Sequence, residues 1–149
     1  MAGEKQELPW PVPAFQFKVE IDGVGEIACA EVSGLEAEAD VIEYRAGNSK
    51  EYSVVKMPGL MKYTDITLKK GMFQDDKVFN EYFAKITMNT IERKTVTIQL
   101  LDESANPVFT WTLTNAFPKK VSGPSLNAKT SEAAMEELIL AHEGIKMEI

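Results

Sequence analysis

Over most of this chain apolar and polar residues alternate with a period of two, and one stretch near the middle shifts to a helical period. Phe15, Phe17, Val19 and Ile21 alternate with Gln16, Lys18 and Glu20, which predicts a strand with one buried face. Gly23 and Gly25 supply a turn. Ile27 to Val32 reads as a second short strand, stopped by Ser33-Gly34, and Leu35 to Arg45 as a third, longer one. Thr64, Ile66 and Leu68 alternate with Asp65 and Thr67 in a fourth. Val96, Ile98 and Leu100 alternate with Thr95, Thr97 and Gln99, and Phe109, Trp111 and Leu113 with Thr110, Thr112 and Thr114. The DESANP link between these two runs predicts a hairpin of β-rich strands, and Ser122-Gly123-Pro124 is a further break.

The helical stretch follows Asp75, whose side-chain oxygen is suited to an N-cap. Val78, Phe79, Tyr82, Phe83 and Ile86 then form an apolar stripe at helical spacing. The C-terminal segment from Ser131 to Ile149 is ambiguous. Met135, Leu138, Ile139 and His142 fit a helical stripe, and the Ala and Glu residues around them favour helix, so the residues by themselves lean to helix over 131–143. Ile145, Met147 and Ile149 alternate as in a strand. A chain that is mostly strand with one inserted helix predicts a mainly β fold, a β-sandwich or barrel with the helix packed on one end or edge. Such a fold leaves edge strands, which are templates for pairing with another chain.

Between the third and fourth strands lies a long excursion, Val41 to Gly71, whose middle carries Gly47, Asn48, Pro58 and Gly59. It reads as an irregular segment held by few apolar anchors, and long irregular segments in compact domains are usually functional. Residues 1–13 are polar and then punctuated by Pro9, Pro11 and Pro13, which predicts an extended N-terminal arm on a single domain spanning 1–149.

Composition narrows the function. A length of 149 residues with 44% hydrophobic and 26% charged residues suits one globular domain with a sizeable core. The formal net charge of -7, with no offsetting basic arm, argues against nucleic-acid binding by the chain as a whole. One cysteine, Cys29, cannot form an internal disulfide and favours a cytosolic origin. The first residues, MAGEKQELPW, contain no apolar stretch of a secretory signal, and no run approaches the ~20 apolar residues of a membrane helix.

Catalytic chemistry is hard to assemble from these residues. The lone histidine, His142, sits in LAHEG and reads as a sheet or interface residue rather than a catalytic base. Cys29, in the alternating IACAEV stretch, reads as a small core or sheet residue. No spaced His/Cys pair suggests zinc, and Asp75-Asp76 reads as a helix start rather than a cation site. Gly23-Val24-Gly25 lacks the rest of a dinucleotide loop. Lys69-Lys70 and Lys119-Lys120 read as solvated strand ends, with intersubunit salt bridges as the alternative, and Trp111 as core rather than a stacking platform. No catalytic residue, cofactor or metal is expected.

One set of motifs, in order, resembles a known family. PVPAFQFKVEIDG is followed by AEVSGLEAEADVIEYRAGN, KMPGL, TLKKGMF, the helix VFNEYFAKI and the closing NAFPKKVSGPSLNAKTSEAAMEELILAHEGIKM. Any one element is weak, but their order and spacing are similar to the tube proteins of contractile phage tails and bacterial contractile injection systems, related to the type VI secretion tube protein. The EYSVV insertion before KMPG looks longer than in many phage members.

The resemblance implies a β-sandwich or barrel with one flanking helix, and a strand rather than a helix near the C-terminus. It implies a structural subunit that forms hexameric rings, stacked as a hollow inner tube that guides cargo and is driven through a target envelope by sheath contraction. The implied partners are other copies of itself, a contractile sheath, baseplate and spike, a terminator and luminal cargo, with no membrane insertion. The implied location is cytoplasmic assembly, then a phage tail or an extracellular or cell-associated particle. In such families the excursion after the third strand reaches toward the adjacent ring, which on this sequence implicates Tyr44, Arg45, Lys50, Met57, Pro58 and Leu60 as inter-ring contacts. The alternative from the residues is a small secreted β-sandwich that binds a ligand or carries an effector.

Overall fold

The computed structural model describes residues 11–86, 91–129 and 131–149. Most of the predicted N-terminal arm, residues 1–10, therefore lies outside the described residues. The elements run β1 (Phe17–Ile21), β2 (Gly25–Ile27), β3 (Glu31–Ser33), β4 (Ala37–Tyr44), β5 (Val55–Tyr63), β6 (Ile66–Gly71), α1 (Val78–Ala84), β7 (Lys94–Leu101), β8 (Pro107–Ser122), β9 (Met135–Ala141) and β10 (Gly144–Glu148).

Seven strands form a continuous antiparallel path, β2-β1-β7-β8-β9-β6-β3, and β10, paired to β8, is the eighth. The 16-residue β8 belongs to both halves of this path. Its first half lies between β7 and β10, and its second half, from Phe117, pairs with β9. Asn115 at the change-over has φ +51, and the register shifts between Pro118 and Lys120. A strand that bends and bulges in this way can pass from one layer to the other and make the corner of a sandwich. The path begins at β2 and ends at β3 without closing, so the architecture is a sandwich and not a closed barrel.

One cluster of buried side chains draws on both layers. Val19, Ile21, Val96, Ile98 and Leu113 come from one side, and Ile66, Leu68, Leu138 and Leu140 from the other. Phe79 and Tyr82 of α1 cover the open flank. The helical stripe read from the sequence is thus used, with Phe79 and Tyr82 buried and Phe83 turned outward. The predicted Asp75 cap is not made: Lys77 stands at the N-cap without a side-chain cap, and Asp76 Oδ1, one residue earlier, accepts from the Val78 N–H at 3.1 Å.

Three readings change against the structure. Ile27 to Val32 is two strands, since β2 stops at Ile27 and β3 starts at Glu31. The first pairs with β1 in one layer and the second with β6 in the other, so the chain crosses the sandwich between them. The segment 131–143 holds the strand Met135–Ala141 and no helix, as the family resemblance implies. It fills the slot between β8 and β6, and ladder pairing on both edges outweighs the helix preference of Ala and Glu. Third, Val55–Tyr63 is a nine-residue strand rather than irregular chain.

Lys70 also departs from its reading as a solvated strand end. It is fully buried on the face of β6 that carries Ile66 and Leu68, directly across from Glu136 on β9. Its ammonium pairs with Glu136 and with Asp76 Oδ2 at 3.2 Å, and lies 5.1 Å from the centre of the Phe79 ring. Burial alone would push the lysine pKa down. The hydrogen bonds to Glu136 and Asp76 outweigh that and hold it above the ordinary value. Lys69 pairs across the sheet with Glu31 and Glu137, and Lys119 with Asp65.

Candidate assembly surface

β4 and β5 pair with each other and, among the described residues, with no other strand. They form a long antiparallel hairpin that stands apart from the sandwich. The register runs from Ala37 opposite Tyr63 at the root to Tyr44 opposite Val55 at the far end. It shifts between Ala39 and Val41, where Pro58 and Gly59 sit. A bulge is one of the few places in a sheet that accepts proline, which has no N–H to contribute. Gly59 also packs closely, since a Cβ there would lie 3.1 Å from the Asp40 carbonyl oxygen.

Side chains on β4 alternate between two faces. Ile42 and Tyr44 share one face and stand opposite Met57 and Val55, making an apolar distal patch. Nearer the root the same face is charged, with Glu38, Asp40 and Lys62, and Lys62 Nζ is 3.0 Å from Asp40 Oδ1. The other face reverses this order: Ala39, Val41, Pro58 and Met61 lie toward the root and Glu43 and Lys56 toward the tip. Nearly all of this is open to solvent in a single copy. Leu60 is 80% exposed, Tyr44 62%, Val55 62% and Tyr52, in the tip loop, 99%. A lone two-stranded hairpin is marginal in water, and its two outer edges leave backbone groups unpaired. Apolar side chains on both faces and open edges on both sides are the features of an interface without its partner.

The six residues singled out from the sequence all fall on this hairpin. Tyr44, Met57, Pro58 and Leu60 are exposed on its strands, and Lys50 is exposed in the tip loop. Arg45 is engaged locally: its guanidinium donates to the carbonyls of Glu51 at 2.9 Å and Ser49 at 3.0 Å, which closes the tip loop. Sequence reasoning missed Val41, Ile42, Val55, Met61 and Tyr52. The cross-strand alternation that would have found them is broken in β5 by the bulge.

A second apolar surface is an open groove of about 280 Å³ at one end of the sandwich, lined by Phe17, Val32, Leu35, Ile98, Leu100 and Trp111. Trp111 also packs against the core cluster.

The titratable residues are arranged for structure. Burial pushes the Cys29 thiol up to about 12, so it is poorly suited to act as a nucleophile. Both ring nitrogens of His142 face backbone carbonyls. Among the described residues, no three His, Cys, Asp or Glu side chains are grouped to hold a metal ion, and no helix is long and apolar enough to cross a membrane.

The profile of the family described as T4-like virus tail tube protein gp19 matches residues 13–146. Among solved structures, a chain of an extracellular contractile injection system, the PVC sheath-tube complex in its extended state, is 34% identical. That alignment covers 93% of this chain and 92% of that chain, with a TM-score of 0.85. A chain of the PVC sheath/tube terminator in the extended state is 33% identical over 95% of this chain and 99% of that chain, with a TM-score of 0.87. Hcp1 from Flavobacterium johnsoniae is 15% identical over 89% of this chain and 94% of that chain, with a TM-score of 0.57, a likeness of fold. No curated protein matches the sequence.

Proposed function

The chain belongs to the T4-like virus tail tube protein gp19 family, and from that premise we propose that it is a structural subunit of the inner tube of a contractile injection system. Copies form six-fold rings that stack into a hollow tube, with a contractile sheath outside and a baseplate, spike and terminator at the ends. The subunit acts as one domain, catalyses no reaction and conducts cargo along its lumen. It assembles in the cytoplasm and then forms part of a phage tail or extracellular particle.

The observation that carries self-assembly is the β4–β5 hairpin, which exposes apolar side chains on both faces and, among the described residues, pairs with no other strand of its own copy. On the adjacent ring it would bury Tyr44, Met57, Pro58 and Leu60. Lys50 would meet acidic groups there, while Arg45 holds the tip loop in its docking shape. Electron microscopy of the purified chain across a concentration series tests this reading. Rings or tubes with a central channel are expected. Deletion of Gly47 to Val54 is expected to leave a subunit that melts as before and forms no tubes; tubes of normal appearance from that variant would refute the role of the hairpin.

A further inference from the structure

The hairpin joins the sandwich through a narrow root. Glu36 lies just before β4 and Thr64 just after β5, and Thr64 Oγ1 donates to Glu36 Oε2 at 3.1 Å. His142 stands at this root, half-buried between β9 and β10. Its Nε2 is 2.9 Å from the Thr64 carbonyl oxygen, and its Nδ1 is 3.1 Å from the carbonyl oxygen of Gly144, the first residue of β10. Its ring lies 5.7 Å from the ring of Tyr63, the last residue of β5, at 50°. One side chain thus touches both the end of the hairpin and the start of β10 in the sandwich.

Leverage makes this contact matter. A hairpin of eight to nine residues per strand extends for about 27 Å at ~3.3 Å per residue, so a rotation of about 10° at the root moves the tip by about 5 Å. Interfaces pack to a tolerance far tighter than that. Among the described residues the strands pair only with each other, so the aim of the hairpin is set at the root. We propose that His142 is a positioning residue that fixes the angle of the β4–β5 hairpin for docking onto a second copy of this chain. The inference rests on the assembly reading of the hairpin given above. A neutral imidazole has a single N–H and serves one of the two carbonyls at a time, and in either tautomer the tilted contact with the Tyr63 ring is kept. An apolar side chain of similar size would fill the space and leave the Thr64 carbonyl without this donor.

The test uses the full chain with spin labels at Tyr52→Cys and Ser104→Cys in a Cys29→Ser background, below the concentration at which tubes form. A narrow tip-to-body distance distribution is expected, broadening in His142→Ala. In unlabelled protein the same substitution should raise the concentration needed for tubes by roughly three- to tenfold, the range one hydrogen bond commands, with little change in melting temperature. His142→Gln, which keeps one N–H donor, should restore most of both. An unchanged distribution, or a broadened one with unchanged assembly, overturns the proposal. If His142→Ala does not fold, Tyr63→Leu removes the tilted ring contact and leaves the hydrogen bonds, and is judged by the same two readings. Met57→Ser with Leu60→Ser separates the two ideas. If assembly survives that pair, the hairpin reading itself fails. If assembly is lost there and intact in His142→Ala, only the role of His142 fails.

Discussion

β6 and β5 are neighbours in the chain and carry similar residues, yet one is the centre of the fold and the other is outside it. In β6, Ile66, Leu68 and Lys70 point inward in strict alternation, and each has a partner directly across on β9: Leu140, Leu138 and Glu136. In β5, Val55, Met57, Leu60 and Met61 are as apolar as the β6 residues and all are exposed. The difference is pairing. β6 has a strand on each side and a second layer over its face, whereas β5 has only β4. Burial in this protein therefore follows the number of partners a strand finds within one copy. The hairpin leaves its apolar side chains exposed in a single copy.

Substitutions that treat the two regions alike should give opposite outcomes. The largest effect on folding is expected at the buried pair. Lys70→Ala leaves Glu136 buried without its cation and should lower unfolding free energy by about 3–5 kcal/mol in denaturant titration. Lys70→Met with Glu136→Leu extends the apolar stripe and should recover most of that loss.

The pH dependence should follow the same network. The pKa of Lys70 is raised on folding, so its contribution is complete below the unfolded value of 10.5 and disappears as pH climbs through the higher folded one. That of Asp76 is lowered, chiefly by the Val78 N–H with Lys70 assisting, so its contribution is present above 3.8 and lost as pH falls through the lower folded value. Melting temperatures of the Met/Leu double variant should show a weaker alkaline decline than the parent, the remainder coming from groups such as the Cys29 thiol, whose pKa folding also raises.

A single methyl group gives a sharper contrast. Gly34 has φ +94, and a Cβ there would lie 2.2 Å from the Asp65 carbonyl oxygen, where the chain crosses beside the hairpin root. Gly34→Ala should cost about 1–3 kcal/mol. Gly47→Ala, at the hairpin tip with nothing near its Cβ, should change stability by no more than about 0.5 kcal/mol. Equal losses at the two glycines would mean that the tip is packed as tightly as the root. The smallest effect on folding is expected for Leu60→Ser, within about 0.5 kcal/mol in denaturant titration, although it should raise the concentration needed for tubes.

The sandwich strands were legible wherever one face meets the core and the other does not. β1, β7 and the first half of β8 follow the alternation of Phe17–Ile21, Val96–Leu100 and Phe109–Leu113. Lys70 was misread as a solvated strand end because of its charge, although it continues the inward alternation of Ile66 and Leu68. The six candidate residues came from the family resemblance, and Gly47, Pro58 and Gly59 marked the segment that carries them as unusual. Its strand character was hidden by the same Pro58 and Gly59, which read as breakers and in fact occupy a bulge.

Local pattern by itself determined the two-residue period, the helix over Phe79 and Tyr82, the acidic balance and the motif order of the tube family. Those features depend on neighbours within a few residues. Tertiary structure alone decided that Met135–Ala141 is a strand, that Ile27 to Val32 divides between two layers, and that Lys70 meets Glu136 and Asp76. It also decided that the hairpin has no partner in its own copy, and that His142 meets Thr64 at its root. Each of these depends on segments far apart in the chain, and ladder hydrogen bonds and burial between such segments outweigh the preferences of the residues that form them.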